Sequence, residues 1–317
     1  MRVVLPGEIA GMAVLGHEEL REFLAHPDVA KDPRHFTALR EGRAPTAGRC
    51  APSPPCPARP PRTAPTTADG ADHRRLRGPV AAAFTPPRVE VLRPRITTLV
   101  DSLLDEVEEA ARADGTADLR RLLLVANRAL IAARDEGGGR PDDAEVIGTL
   151  LLMVVAGHET TLNLVTTPSA PCAPTATSSA SSSTAWAQAV EETLRWDSPV
   201  SAFPFRYATR DLTLRSTVIP AGLPVLAAYS AAGRDRAAHG PDADRFDVTR
   251  AGPRPLSLGH GPYYCLGAPL ARLEATVAPE RLFGRFPELT LAEPEETLPP
   301  AAGFVGNSVG RLPVRLR

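Results

Sequence analysis

Ten residues near the C-terminal end restrict the backbone of this chain more than any other stretch: Leu258-Gly259-His260-Gly261-Pro262-Tyr263-Tyr264-Cys265-Leu266-Gly267. Glycines at 259, 261 and 267 permit positive φ and let the backbone approach a neighbour closely. They deliver a lone cysteine to the start of a helix predicted over Ala268 to Phe283. There the unpaired backbone N–H groups and the helix dipole favour a thiolate. Such a thiolate suits a metal ligand, and no second cysteine follows within three residues to make a zinc knuckle. A buried, inert thiol is the usual fate of a single cysteine. The glycine spacing and the helix entry argue against it here.

A second pattern, Ala156-Gly157-His158-Glu159-Thr160-Thr161, interrupts the apolar segment Val146 to Val165. Asp142 and Glu145 form a capping-box-like start for that helix. Small residues and an acid–hydroxyl pair inside an apolar helix conflict with core packing. Two readings stand side by side. Either Thr160 bonds back to the carbonyl one turn earlier and Glu159 is exposed, or the helix widens around a small ligand and supplies protons to it. The third pattern, Glu192-Thr193-Leu194-Arg195, places a carboxylate and a guanidinium one turn apart. On its own it is most often a solvated pair.

Organisation along the chain points to a mainly helical protein with a minor β part. Val3 to Leu5 and Met12 to Leu15 read as a hairpin, and His17 to Ala25 as a helix. Asp72 to Phe84, Val89 to Arg112 and Ala187 to Trp196 carry helical periodicity, while short β segments dominate after Pro199. Two stretches break the pattern, residues 44–66 and 166–185, rich in Pro, Ala, Ser, Thr and Arg. They hold three of the four cysteines and much of the excess of proline, 34 of 317 residues. Too little apolar surface is available there to offset ordering entropy, so both are expected to be disordered.

Net charge is -1, which gives no general attraction to nucleic acid or anionic membranes. The longest apolar run is far short of the ~20 residues that a membrane span needs, and Pro6 and Glu8 interrupt any export signal. The expectation is a cytoplasmic protein, and a disulfide-framed secreted fold is not supported. A single lysine, Lys31, stands among arginines, a bias in keeping with GC-rich coding.

Taken in order, the acid–threonine helix, Glu-x-x-Arg and the glycine-flanked cysteine resemble the cytochrome P450 family of haem-thiolate monooxygenases, in its soluble bacterial form. Asp72-His73-Arg74-Arg75-Leu76-Arg77, Ile219-Pro220-Ala221-Gly222 and Asp244-Arg245-Phe246 extend the likeness across a single domain, residues 1–317. The resemblance implies haem b with Cys265 as its axial thiolate. It implies Glu159 and Thr160 as the proton-delivering pair, with Ala156 and Gly157 leaving space for oxygen. His73, Arg77 and Arg206 match propionate-holding positions, and the cysteine loop adds His260, Tyr263 and Gly267 around the cofactor. Glu192, Arg195 and Arg245 resemble a buried structural ion network. The implied reaction inserts one atom of O2 into a small organic substrate. Electrons would come from NAD(P)H through a ferredoxin and its reductase, with Arg74, Arg75 and Arg272 offered to an acidic partner. The contrasting expectation is a remnant of this fold that binds haem weakly or not at all.

Three departures from the family pattern shape these expectations. Leu258 stands where phenylalanine is usual, and Tyr263 where a cationic propionate partner is usual. Few residues separate Asp118-Leu119-Arg120 from Ala129-Leu130-Ile131, where the family places the helices that roof the substrate pocket. Finally, residues 44–66 and 166–185 read as out-of-frame translations, with family-like sequence resuming at Thr67 and Trp186. Translation of the coding DNA in the other two frames checks this.

Overall fold

A computed structural model describes residues 1–5, 8–42, 67–120, 156–157, 159–167, 183–301, 303 and 305–316. The predicted hairpin is present: β1 (Arg2–Leu5) runs antiparallel to β2 (Ile9–Val14), with Arg2 opposite Met12. β2 continues into a five-stranded sheet by pairing in parallel with β8 (Pro224–Ala227). β8 pairs in turn with β5 (Phe203–Ala208), and β3 (Val29–Ala30) closes the edge. Helix His17–Ala25 lies on this sheet through Leu20, Phe23 and Leu24, which are essentially inaccessible to water.

The second core is helical. Helix Arg93–Asp114 buries Ile96, Val100, Leu103, Leu104 and Val107, a one-sided stripe at helical spacing. It stops at Gly115, whose φ of 73° ends the helix in the left-handed region. That stripe packs on Leu270, Leu273, Val277 and Ala278 of helix Ala268–Arg285. Along the rim, Arg281 forks onto Asp101 at 2.7 and 2.9 Å, and Arg285 reaches Asp105. Exposed pairs of this kind are each worth well under ~1 kcal/mol, so the apolar stripe sets the packing. The segment expected as one helix over Val89 to Arg112 is two, Pro86–Glu90 and Arg93–Asp114, with Pro94 in the first turn of the second.

A mainly helical fold with a small β part therefore holds, but the limits of the low-complexity stretches shift. Thr166 and Thr167 are buried, and their hydroxyls bond back to Leu162 and Asn163. Helix Ser183–Trp196 begins inside what was expected to be the second disordered stretch. The remainder of that stretch, all of residues 44–66 and the expected gap in the roof lie outside the described residues. Among the described residues no helix is long and apolar enough to cross a membrane.

Candidate active site

The cysteine loop is held by its own backbone. The N–H of Cys265 donates to Leu258 O at 2.8 Å, and that of Gly259 to Leu256 O at 2.7 Å. Gly259 and Gly261 take φ of 79° and 69°, as the spacing predicted. A Cβ on Gly261 would stand 3.0 Å from Ala25 Cα and 3.2 Å from Leu24 O, so only glycine lets the loop rest on the end of helix His17–Ala25. Gly267 differs from expectation: its φ is −78°, and its contribution is space, since a Cβ there would stand 3.9 Å from the Cys265 sulfur.

Cys265 is accessible to water and still surrounded by enough protein to be desolvated. Burial pushes its thiol pKa up, against the pull of the Gly267 and Ala268 N–H groups and of Arg77 and Arg272. The predicted helix-end donors are in place, yet by themselves they do not outweigh desolvation. A thiolate here calls for a further positive charge on the sulfur.

Beside the loop lies a cluster of cationic residues. Arg77 donates to Tyr264 O at 2.5 Å and is close enough to Cys265 to feel its charge. His73 is buried, tilted against the Tyr263 ring at 4.3 Å, and held neutral with a pKa of about 4 by burial and by Arg77 and Lys31. Arg206 comes from β5, where the register against β8 shifts between Phe203 and Arg206 and Phe205 adopts φ 69°. Phe205 is exposed and Arg206 buried. Arg206 is 2% exposed, and its Nε and Nη1 have no hydrogen-bond partner among the described residues. Tyr229 is within its hydrogen-bonding reach, but a buried guanidinium with two nitrogens left over is costly unless an anion meets them.

Tyr263 corrects an expectation. Its hydroxyl donates to Asp69 Oδ1 and Ala68 O rather than remaining available to a ligand. Its ring lies under cations instead, with Arg206 Cζ at 5.2 Å and Lys31 Nζ at 5.0 Å from the centroid. His260 is half-buried, and its imidazole makes no hydrogen bond among the described residues.

On the other element, residues 159–165 are helical, and Thr160 donates to Ala156 O at 2.5 Å. The structure thus takes the back-bonded form of the two weighed above. Glu159, Ala156 and Gly157 are exposed and Thr160 is half-buried. Leu164 of this helix packs with Ala275, Val190, Leu194 and Leu258. One apolar cluster therefore ties the acid–threonine helix to the cysteine loop and its helix. Arg120, which sequence reasoning missed, anchors the end of the acid–threonine helix. Its Nη1 donates to Asn163, Thr166 and Ser308 at 3.0, 3.3 and 3.1 Å. No local pattern marked it, because its partners are 43 to 188 residues away.

Glu192 and Arg195 do form the expected buried pair, at 2.7 Å through both Nε and Nη2. Arg195 also donates to the carbonyls of Gly233, Ala243 and Arg245. Arg245 contributes only that carbonyl and its side chain is exposed. The second guanidinium at Glu192 is Arg250, at 3.6 Å, which also binds Asp242. Arg272 is likewise committed, to Glu191 at 2.5 and 3.1 Å and to the Tyr264 hydroxyl at 3.0 Å. It is not a free docking charge.

Comparison with known proteins agrees with this arrangement. The family model for cytochrome P450 matches residues 186–310. The 2-hydroxy-5-methyl-1-naphthoate 7-hydroxylase of Streptomyces carzinostaticus is 35% identical, over 79% of this chain and 77% of the relative. The vitamin D(3) 25-hydroxylase of Pseudonocardia autotrophica is 32% identical, over 95% and 86%. Among solved structures, CYP154C4 from Streptomyces sp. ATCC 11861 superposes with a TM-score of 0.84 at 30% identity, covering 99% of this chain and 92% of that one. CYP154A1 from Streptomyces coelicolor A3(2) gives 0.79 at 33%, covering 98% and 93%.

Proposed function

Because the chain belongs to the cytochrome P450 family and is a haem-thiolate monooxygenase, we propose that Cys265 is the axial ligand of its haem b, with Arg206, Arg77 and His73 on the side of the haem carboxylates. The observation that carries this assignment is Arg206, a buried guanidinium with two unpartnered nitrogens next to the cysteine loop. A ligand that brings carboxylates and a metal satisfies at once the guanidinium and a sulfur whose ionisation needs positive charge. The residues present fit the cofactor.

When bound, haem supplies the oxygen chemistry, inserting one atom of O2 into an organic substrate. The chain's own residues prepare the surroundings. Two backbone N–H groups aimed at Cys265 take up part of the charge on its sulfur. Thr160, resting on the Ala156 carbonyl, delivers a proton by turning its hydroxyl off that carbonyl, and Glu159 replenishes it from solvent. Ala156 and Gly157 keep the adjoining turn free of bulk. Glu192, Arg195 and Arg250 fix the fold behind the loop and take no part in proton transfer.

Electrons reach the chain from a ferredoxin and its reductase, drawing on NAD(P)H. Arg74, exposed on helix Gly70–Ala83, is offered to an acidic partner, with Arg75 beside it, exposed and 3.9 Å from Asp72. The substrate is a small organic molecule. Relatives named for a naphthoate and for vitamin D(3) support one with an apolar ring skeleton. The chain works as one domain, residues 1–317, in the cytoplasm.

The test is spectroscopic and then kinetic. Reduced protein under carbon monoxide is expected to show the red-shifted Soret band of thiolate-ligated haem, and Cys265→Ser to abolish it. Substrate-dependent NAD(P)H consumption with a surrogate ferredoxin system should follow. A CO band at the position typical of histidine-ligated haem would sink the assignment of Cys265.

A further inference from the structure

Lys31 is the chain's single lysine, and it is 8% exposed. Its backbone N–H and that of Asp32 each donate to Asp69 at 2.9 Å, which draws the lysine onto the helix that carries His73 and Arg77. Asp69 also takes the Tyr263 hydroxyl, so its carboxylate is shared among three donors. The Lys31 ammonium has no hydrogen bond or ion pair among the described residues. It lies 5.0 Å from the Tyr263 ring centre and 5.3 Å from that of Phe203. Arg206 lies on the same tyrosine at 5.2 Å, with two nitrogens unpartnered.

Two buried cations on one aromatic ring repel each other, and their attraction to its face does not outweigh the loss of their water. The pressure shows in Lys31, whose pKa is pushed down to about 7, first by burial and then by Arg206. The arrangement is economical only when an anion lies between the two. Of the other cluster members, Arg77 already spends one donor on Tyr264 O, and His73 is neutral near pH 7.

We infer that Lys31, carried on the Tyr263 ring, is a haem-carboxylate ligand of this chain, acting with Arg206 and supplying the charge that Tyr263 lacks. This rests on the haem reading above. Tyr263 is then a positioning residue: Asp69 fixes its hydroxyl, and its ring sets where both cations lie. Haem b has two carboxylates, and the cluster presents Lys31, Arg206 and Arg77 as cations for them.

The experiment titrates the full-length apoprotein with hemin and, separately, with hemin dimethyl ester, whose carboxylates carry no charge. Lys31→Met is expected to weaken hemin binding about tenfold or more and to leave ester binding within about twofold of wild type. The melting temperature of the apoprotein at pH 6 is expected to stay level or rise in Lys31→Met, because an uncompensated charge is gone. Lys31→Gln, which keeps a polar end, should repeat both results. Equal losses for hemin and ester would overturn the inference, assigning Lys31 to packing alone. Unchanged hemin affinity would overturn it too. A wild-type chain that binds neither porphyrin would instead overturn the haem reading itself.

Discussion

Arg195 holds Glu192 through two hydrogen bonds of 2.7 Å, and both side chains are almost wholly removed from water. The same guanidinium closes on three backbone carbonyls from the segment 233–245. The pair therefore joins helix Ser183–Trp196 to the loops that lead to the cysteine. Removing one partner strands the other: Arg195→Ala or Glu192→Ala is expected to cost about 3–5 kcal/mol. That loss is a large share of the ~5–15 kcal/mol that keeps a domain folded, and it is read as a lowered urea midpoint of the apoprotein. Arg245→Ala should change little, because only its carbonyl is used.

At the loop, Gly261→Ala forces a side chain into φ 69° and against the backbone of residues 24 and 25. A loss of about 2 kcal/mol or more is expected, together with weaker hemin retention. Gly284→Ala is the control. It lies in helix Ala268–Arg285 with nothing within 4 Å of an added Cβ, and should gain about 0.5–1 kcal/mol. Paired urea midpoints decide the matter, and equal shifts would contradict the packing described.

Thr160→Ala removes a hydroxyl whose one hydrogen bond among the described residues runs back to Ala156. Stability of the apoprotein should change by less than about 1 kcal/mol. Product formed per NAD(P)H consumed should fall severalfold, with reduced oxygen species making up the balance. Unchanged coupling would remove Thr160 from proton delivery.

His239 is buried, its two ring nitrogens lack hydrogen-bond partners among the described residues, and its ring meets His17 edge-on at 5.1 Å. Burial, then His17, Arg195 and Arg250, depress its pKa to about 4, against a smaller opposing pull from Asp235. Above pH 6.5 the ring is neutral both folded and unfolded and contributes no pH dependence. As pH falls from 6.5 toward 4, the unfolded chain takes up a proton that the folded chain refuses. Stability should drop by up to about 3 kcal/mol over that window. His239→Phe should flatten this limb of the pH–stability curve, measured by chemical denaturation between pH 4 and 7.

The cysteine loop was legible because its glycine spacing is a local pattern; the acid–threonine turn left two readings open, and the burial of Glu192 and Arg195 followed only from the family resemblance. Glycines 259 and 261 had to be glycine for reasons visible in the chain. What stayed hidden was long-range. Arg250 rather than Arg245 supports Glu192, and Arg120 is tied to Ser308 across the chain. Tyr263 could be read only as a hydrogen-bond donor, and which acceptor it would find depended on the placement of Asp69. Arg272 seemed free because Glu191 lies on another helix, and no sequence pattern links residues 81 apart.

The bulge in β5 lies immediately before the buried arginine. In a pleated strand neighbouring side chains alternate between faces, and one extra residue lets Phe203 and Arg206, three apart, face Ala227 and Val225, two apart. Deleting one residue from 203–205 would leave Arg206 opposite Val225 in an unbroken ladder and remove only the left-handed turn at Phe205, so the inward face of the arginine is set by its partner strand and the inserted residue serves to present Phe205 to solvent.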